Sequence, residues 1–229
     1  MAIMPGKLSI VATPIGNLGD ITLRAIDTLK SVDLILCEDT RVTKNLLDHF
    51  EIKTPTLSYH HHSDERKVKE IQNELLGGKN LALVTDAGTP GISDPGNMLV
   101  SLLVKRMPEL VIEAIPGPSA LTAALSISGF PTDRFIFLGF PPHKNKRQKY
   151  FKEVAEQEVT TVFFESGHRI LKCLNDLKSV LSSERQLVVC RELTKKFETV
   201  YRGNIDQIME IMKDERGEFV IVIDSYEKK

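Results

Sequence analysis

The segment VTDAGTPGISDPG, residues 84–96, decides the fold because it joins a strand-like run to a helical pattern. It holds three glycines, two prolines and two aspartates in thirteen residues, with LALV leading in and MLVSLLV leading out. Glycine costs backbone entropy unless the chain needs unusual dihedral angles or a close approach of its backbone. The segment therefore predicts either a long turn or a loop whose main chain lies against a ligand.

Outward from this segment, apolar runs of strand length alternate with helical patterns. Strands are predicted at 8–12, 33–37, 56–60, 81–85, 110–115, 134–140, 160–166, 186–192, 198–203 and 218–224. Helices are predicted at 22–30, 40–49, 63–78, from about 95, and at 118–128, 145–157, 168–181 and 204–213. Short, continuously apolar strands separated by helices favour an α/β fold whose sheets are covered on both faces. We place the boundary near IPGPS (115–119), which gives domains 1–116 and 117–229.

Composition narrows the classes of partner. The 229 residues carry 30 Lys and Arg against 31 Asp and Glu, a net charge of -1. With no global basic field, a nucleic acid would have to meet a local patch. The cysteines Cys37, Cys173 and Cys190 lie far apart without a CxxC pair, so neither a disulfide framework nor a zinc cluster is indicated. No signal pattern occurs and no apolar run approaches the roughly 18 residues of a membrane span, so we expect an intracellular, soluble protein.

Unusual residues follow most of the predicted strands, and ligands of open α/β sheets bind beyond the carboxyl ends of strands. The segments are TPIGNLGD (13–20), EDTR (38–41), TDAGTPGISDPG (85–96), PGPSA (116–120), ESGHR (165–169) and RELTKKFE (191–198). Each has a simpler interpretation. Asp20 and Asp94 could be helix N-caps, with Pro95 and Pro118 in first turns. EDTR could be a surface ion cluster and RELTKKFE a solvated strand edge. Together at one edge, however, the segments predict a site.

Familiar phosphate and hydrolase motifs are missing from these segments. The sequence contains no GxGxxG, no GxxxxGK[ST] and no GxSxG, which leaves dinucleotide, nucleoside triphosphate and serine hydrolase sites unsupported. The triplet at 60–62, three adjacent histidines, is interpreted as a loop, because three neighbours cannot easily face one ion. No metal is predicted.

The segments resemble one known family when they are taken in order. The matching motifs are VATPIGNLGDIT (11–22), EDTRVT (38–43), VTDAGTPGISDPG (84–96), IPGPSA (115–120), FFESGHRI (163–170), RELTKKFE (191–198) and GEFVIV (217–222). They are similar to those of the class III S-adenosyl-L-methionine (SAM)-dependent methyltransferases, the tetrapyrrole methylase superfamily. Within it they resemble the branch that methylates a cytidine 2'-hydroxyl in the decoding region of 16S ribosomal RNA, and the likeness covers nearly the whole chain.

This resemblance implies two α/β/α domains with SAM in the cleft between them, usually in a cytoplasmic homodimer that acts on the small ribosomal subunit. The residues implied to contact SAM are Pro14, Asp86, Ala87, Gly88, Thr89, Ile92, Ser93, Asp94, Ser119, Ala120, Phe163 and Glu165. Since a ribose 2'-hydroxyl is a weak nucleophile, it needs a base, a polarising contact or orientation. The candidates for catalysis are Glu38, Asp39, Arg41, His168 and Lys195.

A basic run, HKNKRQKYFK (143–152), is the candidate RNA-binding segment. Such a run could follow a phosphate backbone, although it could equally be a solvated helix face. Lys144, Lys146 and Arg147 are its predicted phosphate ligands, with Arg169 and Arg191 from the strand ends.

The chain departs from the family pattern in two places. Gly167 stands where the family usually writes proline, which is expected to loosen that loop. The small C-terminal helical domain of many relatives is expected to be absent. Two other functions stay open: methylation of a tetrapyrrole of the precorrin or uroporphyrinogen type, and binding of SAM or ribosomes without catalysis.

Overall fold

The computed structural model describes residues 4–60 and 63–225. The chain forms two compact units, Met1–Ser119 and Ala120–Lys229, each built on one five-stranded sheet. Among the described residues no helix is long and apolar enough to cross a membrane.

The first unit is a parallel α/β layer structure. Its strands are β1 (Leu8–Val11), β2 (Leu34–Cys37), β3 (Thr56–Ser58), β4 (Leu81–Leu83) and β5 (Ile112–Ile115), in the order β3-β2-β4-β1-β5. All four pairings are parallel. Its helices are α1 (Leu23–Ser31), α2 (Thr40–His49), α3 (Glu65–Leu76) and α4 (Asn97–Arg106), with a short 3-10 turn at Leu18–Asp20.

Both faces of this sheet are buried, as the continuous apolar strands predicted. Ala82 of β4 packs with Ala25 and Leu29 of α1 on one face. Its neighbours Leu81 and Leu83 point to the other face, where they meet the apolar sides of α3 and α4. Successive strand residues point to opposite faces, so β4 contributes to two cores at once.

Two helix caps that the simpler interpretation of the strand-end segments offered, Asp20 and Asp94, are not formed. Asp20 belongs to the 3-10 turn, and Thr22 caps α1 by accepting from the backbone N–H of Ala25. Helix α4 begins at Asn97 after Gly96, which has φ +140, instead of at Pro95 with Asp94 as its cap. The glycine loop is therefore longer than its SDPG ending indicates.

The second unit has a mixed sheet. Its strands are β6 (Phe135–Phe137), β7 (Thr160–Ser166), β8 (Gln186–Arg191), β9 (Thr199–Asn204) and β10 (Glu218–Ile223), in the order β6-β7-β10-β8-β9. Strands β6 and β7 are parallel, whereas β10 is antiparallel to β7 and β8, and β9 to β8. The helices are α5 (Ala120–Ser128), α6 (Arg147–Glu156), α7 (Gly167–Lys178) and α8 (Ile205–Ile211).

The core of the second unit lies between this sheet and three of its helices. Phe151 of α6, Leu174 of α7 and Ile208 of α8 are fully buried against the sheet, and α5 packs against β10 and β7. Because β10 runs antiparallel to both β7 and β8, those two strands point the same way. Their carboxyl ends share one edge, next to the start of β10, where Ser166 pairs with Glu218 and Arg191 with Phe219.

Candidate active site

The strand-end segments of the first unit meet at the carboxyl edge of its sheet. Thr13, after β1, and Gly88, after β4, exchange two backbone hydrogen bonds of 2.9 and 3.1 Å. The Thr13 hydroxyl also donates to the Thr85 carbonyl at 2.9 Å. A Cβ on Gly117, after β5, would lie 3.1 Å from the Ala12 side chain. Three segments that are far apart in sequence are therefore in direct contact, through residues that include Thr13, which sequence reasoning did not single out.

The glycines of the loop are required by its backbone. Gly88, Gly91 and Gly96 have φ of +84, +84 and +140, a region that other L-residues rarely adopt. A Cβ on Gly96 would lie 3.0 Å from Leu83. A Cβ on Gly88 would be in ordinary van der Waals contact, since the nearest atom would be Ile15 Cγ2 at 3.5 Å. Ser93 also has a positive φ, +62, although it carries a side chain.

The predicted SAM residues of the first unit differ in exposure. Asp86, Ala87, Ile92 and Ser93 are exposed, while Thr89 and Asp94 are half-buried and Gly88 is buried. Pro14 is buried beside Thr13. Ser119, the last residue of the first unit, and Ala120, the first of the second, are half-buried. The Thr85 hydroxyl oxygen is buried and has no hydrogen-bond partner in the described part of the chain. Exposed loop residues, small side chains and one unpartnered buried hydroxyl fit a polar, bulky ligand such as SAM.

Asp86 connects this loop to the EDTR segment. Its carboxylate accepts from the backbone N–H of Asp39 at 3.3 Å. Burial raises the pKa of the Asp86 carboxyl above its usual range. The edge therefore holds a carboxyl group with increased proton affinity, which sequence reasoning assigned only to SAM contact.

Asp39 and Arg41, both predicted to be catalytic, pair with each other. Asp39 caps α2 by accepting from the Arg41 backbone N–H at 2.8 Å, and it accepts from the guanidinium at 3.1 and 2.6 Å. Hydrogen bonding to Arg41 lowers the pKa of Asp39 to about 2. Asp39 is therefore a poor proton acceptor, and the surface ion pair that the sequence left open describes both residues.

Three predicted contact residues of the second unit are buried within it. Phe163 is fully buried in the core, and Glu165 and Arg147 are 1% and 4% exposed. The cause is the alternation along β7, because Phe163 and Glu165 face α6 and α7 while Phe164 faces the other side. The side chains of Phe163, Glu165 and Arg147 are enclosed by the second unit's own residues, and their contacts with SAM or RNA stay predictions.

Glu165 is the centre of a buried ion cluster. Arg169 contacts its carboxylate at 2.7 Å and Arg147 approaches at 3.8 Å, while Arg147 also binds Asp176 at 2.7 Å. The same two arginines donate to the carbonyls of Pro142 and Pro141 at 3.0 and 3.1 Å. The cluster fastens the segment that leads into α6 to the end of β7.

Arg191, a predicted phosphate ligand, is likewise internal. It is 7% exposed. Its guanidinium donates to the carbonyls of Arg216 and Phe197 at 2.7 and 3.0 Å and pairs with Asp214 at 3.0 Å. Of the five predicted RNA ligands, Arg147, Arg169 and Arg191 thus bind protein groups, whereas Lys144 and Lys146 are exposed.

Lys195 and His168, the other predicted catalytic residues here, have different surroundings. Lys195 contacts Glu192 at 2.9 Å and Glu218 at 2.7 Å. Burial alone would lower its pKa, but the hydrogen bonds to Glu218 and Glu192 raise it above the usual range. Lys195 is thus a poor base. His168 is exposed in the first turn of α7, with Nε2 3.5 Å from the Ser166 hydroxyl.

Gly167 does not loosen its loop, contrary to expectation. It is buried as the first residue of α7, and its N–H donates to the Gly217 carbonyl at 2.8 Å. A Cβ there would overlap the Glu215 carbonyl oxygen and lie 2.9 Å from the Gly217 nitrogen. Glycine at this position permits close backbone packing.

The histidine triplet is only partly visible, because positions 61 and 62 lie outside the described residues. Within the described ranges, no three His, Cys, Asp or Glu side chains are grouped so that they could hold a metal.

Comparison with known proteins identifies the family. The model of the tetrapyrrole (corrin/porphyrin) methylases matches residues 7–209. The chain belongs to this family. Two solved structures share the fold. A cobalt precorrin-4 methyltransferase of cobalamin biosynthesis has a TM-score of 0.67 and 18% sequence identity, and the match covers 95% of this chain and 94% of that one. The uroporphyrin-III C-methyltransferase of Thermus thermophilus has a TM-score of 0.64 and 17% sequence identity, and the match covers 96% of this chain and 94% of that one. The predicted fold and family are confirmed.

Curated relatives are more similar in sequence. A protein of Synechocystis is 48% identical over 221 residues, which cover 95% of this chain and 78% of the relative. A protein of Thermotoga maritima is 42% identical over 224 residues, which cover 97% of this chain and 100% of the relative. Both are named ribosomal RNA small subunit methyltransferase I.

Proposed function

We propose that this member of the tetrapyrrole methylase family transfers a methyl group from SAM to the 2'-hydroxyl of a cytidine in the decoding region of 16S ribosomal RNA. The observation that carries the proposal is the 48% identity, over 95% of the chain, to a protein named for methylation of small-subunit ribosomal RNA. The strand-end segments of the first unit support it, since they converge on a glycine loop that carries exposed residues. The solved tetrapyrrole relatives are only 17–18% identical and support the fold alone.

SAM is proposed to lie against the glycine loop of the first unit. Asp86, Ala87, Gly88, Thr89, Ile92, Ser93 and Asp94 would hold it, with Pro14, Ser119 and Ala120 from the neighbouring segments. When bound, SAM supplies a methyl group on a positively charged sulfur. The loop supplies orientation, because an in-line displacement depends on holding the nucleophile opposite the leaving sulfur.

For activation of the 2'-hydroxyl we retain Glu38 and His168. Asp39 and Lys195 are withdrawn as proton acceptors, since each is held in an ion pair that favours its charged form. Glu38 is half-buried at the end of β2, and His168 projects from the first turn of α7. Imidazole and carboxylate side chains can both act as general bases. We further propose a cytoplasmic homodimer, on the family resemblance.

Transfer of labelled methyl from SAM to unmodified small ribosomal subunits tests the proposal directly. Label is expected on one cytidine, next to a phosphodiester that resists alkali because its 2'-oxygen is blocked. Free 16S ribosomal RNA serves as the second substrate. Label in a base, or transfer to a tetrapyrrole in place of RNA, would overturn the assignment.

Gly88→Val is expected to weaken SAM binding by more than about tenfold, since a β-branched residue at φ +84 costs roughly 1–2 kcal/mol and must reshape the loop. The measurement is the Kd of SAM by titration calorimetry. Gly129→Val is the matched control, because Gly129 also has a positive φ, +78, and open space around it, but lies in the second unit. The control is expected to lose similar stability and to keep its SAM affinity. Wild-type affinity in Gly88→Val would remove the loop from the SAM site.

Lys144→Gln with Lys146→Gln is expected to weaken RNA binding at every sequence and to reduce the slope of log K against log salt by about 1.5, near 0.7–0.9 for each lost phosphate contact. Filter binding of 16S ribosomal RNA at several salt concentrations measures the slope. The control removes the same charge from two exposed lysines of the first unit, Lys69 and Lys105. An equal slope in the two double variants would show that the segment before α6 has no special part in RNA binding.

A further inference from the structure

The segment after β8 carries an exposed phenylalanine beside a lysine, and the reaction described so far gives neither a role. Phe197 is 63% exposed, the most of any phenylalanine in the described part of the chain. The Lys196 ammonium lies 5.6 Å from the centroid of its ring. Because single exposed apolar side chains are ordinary on protein surfaces, exposure alone assigns no function. The contacts that hold the main chain of this segment provide a second observation.

The main chain of Phe197 is fixed by a buried arginine. Arg191 donates to the Phe197 carbonyl at 3.0 Å and to the Arg216 carbonyl at 2.7 Å, and it pairs with Asp214 at 3.0 Å. Lys195, one residue before the pair, is bound to Glu192 and Glu218. The exposed ring therefore projects from a segment whose ends and middle are attached to β8, β10 and the turn before β10.

The course of the segment separates inward from outward side chains. Arg191 and Leu193 are 7% and 8% exposed, while Lys196 and Phe197 face solvent. Glu192 and Thr194 reach this arrangement with φ of +52 and +64, in the sparsely populated left-handed region. Such a conformation persists only where the surroundings determine it, here through the ion pairs of Arg191 and Lys195. The main chain that carries the ring and the ammonium is thus held in place.

The pair lies at the edge of the sheet where the strand ends of the second unit gather. Strands β7 and β8 point the same way, so the residues after β8 lie at the same edge as Ser166 and His168, which follow β7. Nearby carboxylates are already engaged: Glu218 binds Lys195, and Glu198 accepts from the Thr194 N–H. The side chain of Arg216, 89% exposed, adds a second cation at this edge and is paired with Asp214.

We propose that Phe197 stacks on an unpaired base of the RNA substrate and that Lys196 contacts the adjoining phosphate. A flat ring with a cation beside it offers the two features that proteins use to bind single-stranded RNA, a stacking surface and a counter-charge for the backbone. The pair orients the substrate from the same edge as His168 and takes no part in moving the proton. This inference rests on the proposed RNA methylation and names part of its substrate contact.

Steady-state methylation of unmodified small ribosomal subunits tests the stacking. Phe197→Leu keeps an apolar side chain but removes the ring, and it is expected to raise KM for the subunit by about tenfold with little change in kcat. Phe197→Tyr keeps the ring and is expected to retain wild-type KM. Phe135→Leu is the matched control, since Phe135 is 43% exposed at the start of β6, the opposite end of the sheet. Lys196→Gln is expected to reduce the slope of log K against log salt for RNA binding by about 0.7–0.9, the change for one lost phosphate contact.

The outcomes separate this inference from the proposed function. If the wild type methylates the subunit but Phe197→Leu has unchanged KM, or Phe197→Tyr loses as much as Phe197→Leu, stacking is refuted and the methylation stands. If the wild type transfers no methyl group, filter binding of 16S ribosomal RNA decides: loss of binding in Phe197→Leu alone upholds the contact without the proposed reaction, and failure of the wild type to bind overturns both. SAM affinity, measured in each variant, is expected to be unchanged.

Discussion

Glu165→Ala is expected to lower the free energy of unfolding by about 3–5 kcal/mol, the cost of removing one partner from a buried ion pair. The Glu165 side chain is completely buried, and the side chains of Arg147 and Arg169 are 5% and 12% exposed. Alanine would leave Arg169 without its carboxylate 2.7 Å away and would remove the opposite charge that Arg147 approaches. The two guanidiniums would then repel each other in a region with little water, with Asp176 alone to compensate Arg147.

Urea denaturation monitored by circular dichroism measures this loss. Glu165→Gln is expected to lose less, because an amide oxygen can still accept from Arg169 although the charge is gone. The control is Asp48→Asn, which breaks an exposed pair with Lys44 and is expected to change stability by less than about 0.5 kcal/mol. A loss below about 1 kcal/mol in Glu165→Ala would show that the cluster does not hold the unit together.

The same variant separates two roles of Glu165. The resemblance placed its carboxylate in the SAM site, whereas the structure encloses it with Arg147, Arg169 and Asp176. If it acts only through the fold, the molecules that remain folded at low temperature are expected to bind SAM with wild-type affinity. A SAM Kd raised in proportion to the lost contact would instead restore the sequence-based assignment.

The fold was predictable because burial leaves a periodic record in the sequence. The run TTVFFES predicts a strand at the residues where β7 lies, and 40–49 predicts α2 with the same bounds. Strand direction was not predictable in the same way. QLVVCR and EFVIVI are as continuously apolar as the parallel strands, yet β8 and β10 are antiparallel. Direction depends on which strands pair, and pairing is a tertiary property that no local pattern contains.

The glycine loop was the most predictable part of the site. Its backbone takes positive φ angles that favour glycine at Gly88, Gly91 and Gly96, so the unusual conformation is visible in the sequence as a cluster of glycines. The arginines were predicted least well, because charge composition does not tell which way a side chain points. The signal was nevertheless present in α6. Arg147, Phe151 and Val154 follow the i, i+4, i+7 spacing of a buried helix face, and all three are buried.

Gly167→Pro is expected to lower the free energy of unfolding by at least about 3 kcal/mol. The direction of this change is informative, because local rules and the surroundings of the residue predict opposite effects. Position 167 is the first residue of α7, and Ser166 before it is extended, with φ -88 and ψ 152. Proline suits a first helical position after an extended residue, so local rules predict a gain. The surroundings predict the opposite, because proline removes the N–H that donates to Gly217 and adds a Cβ and ring against Glu215.

Leu23→Pro makes the comparison decisive, because Leu23 is also a first helical residue, follows an extended Thr22 with φ -78 and ψ 148, and is 80% exposed. There proline is expected to be neutral or slightly stabilising. Thermal unfolding is expected to show Tm lowered by about 6–12 °C in Gly167→Pro and little changed in Leu23→Pro. Gly167→Ala, which keeps the N–H, separates the overlap at Cβ from the lost hydrogen bond. If both proline variants leave Tm unchanged, the contact between α7 and the turn before β10 rearranges with little loss of stability. The close packing around position 167 would then not explain why the residue is glycine.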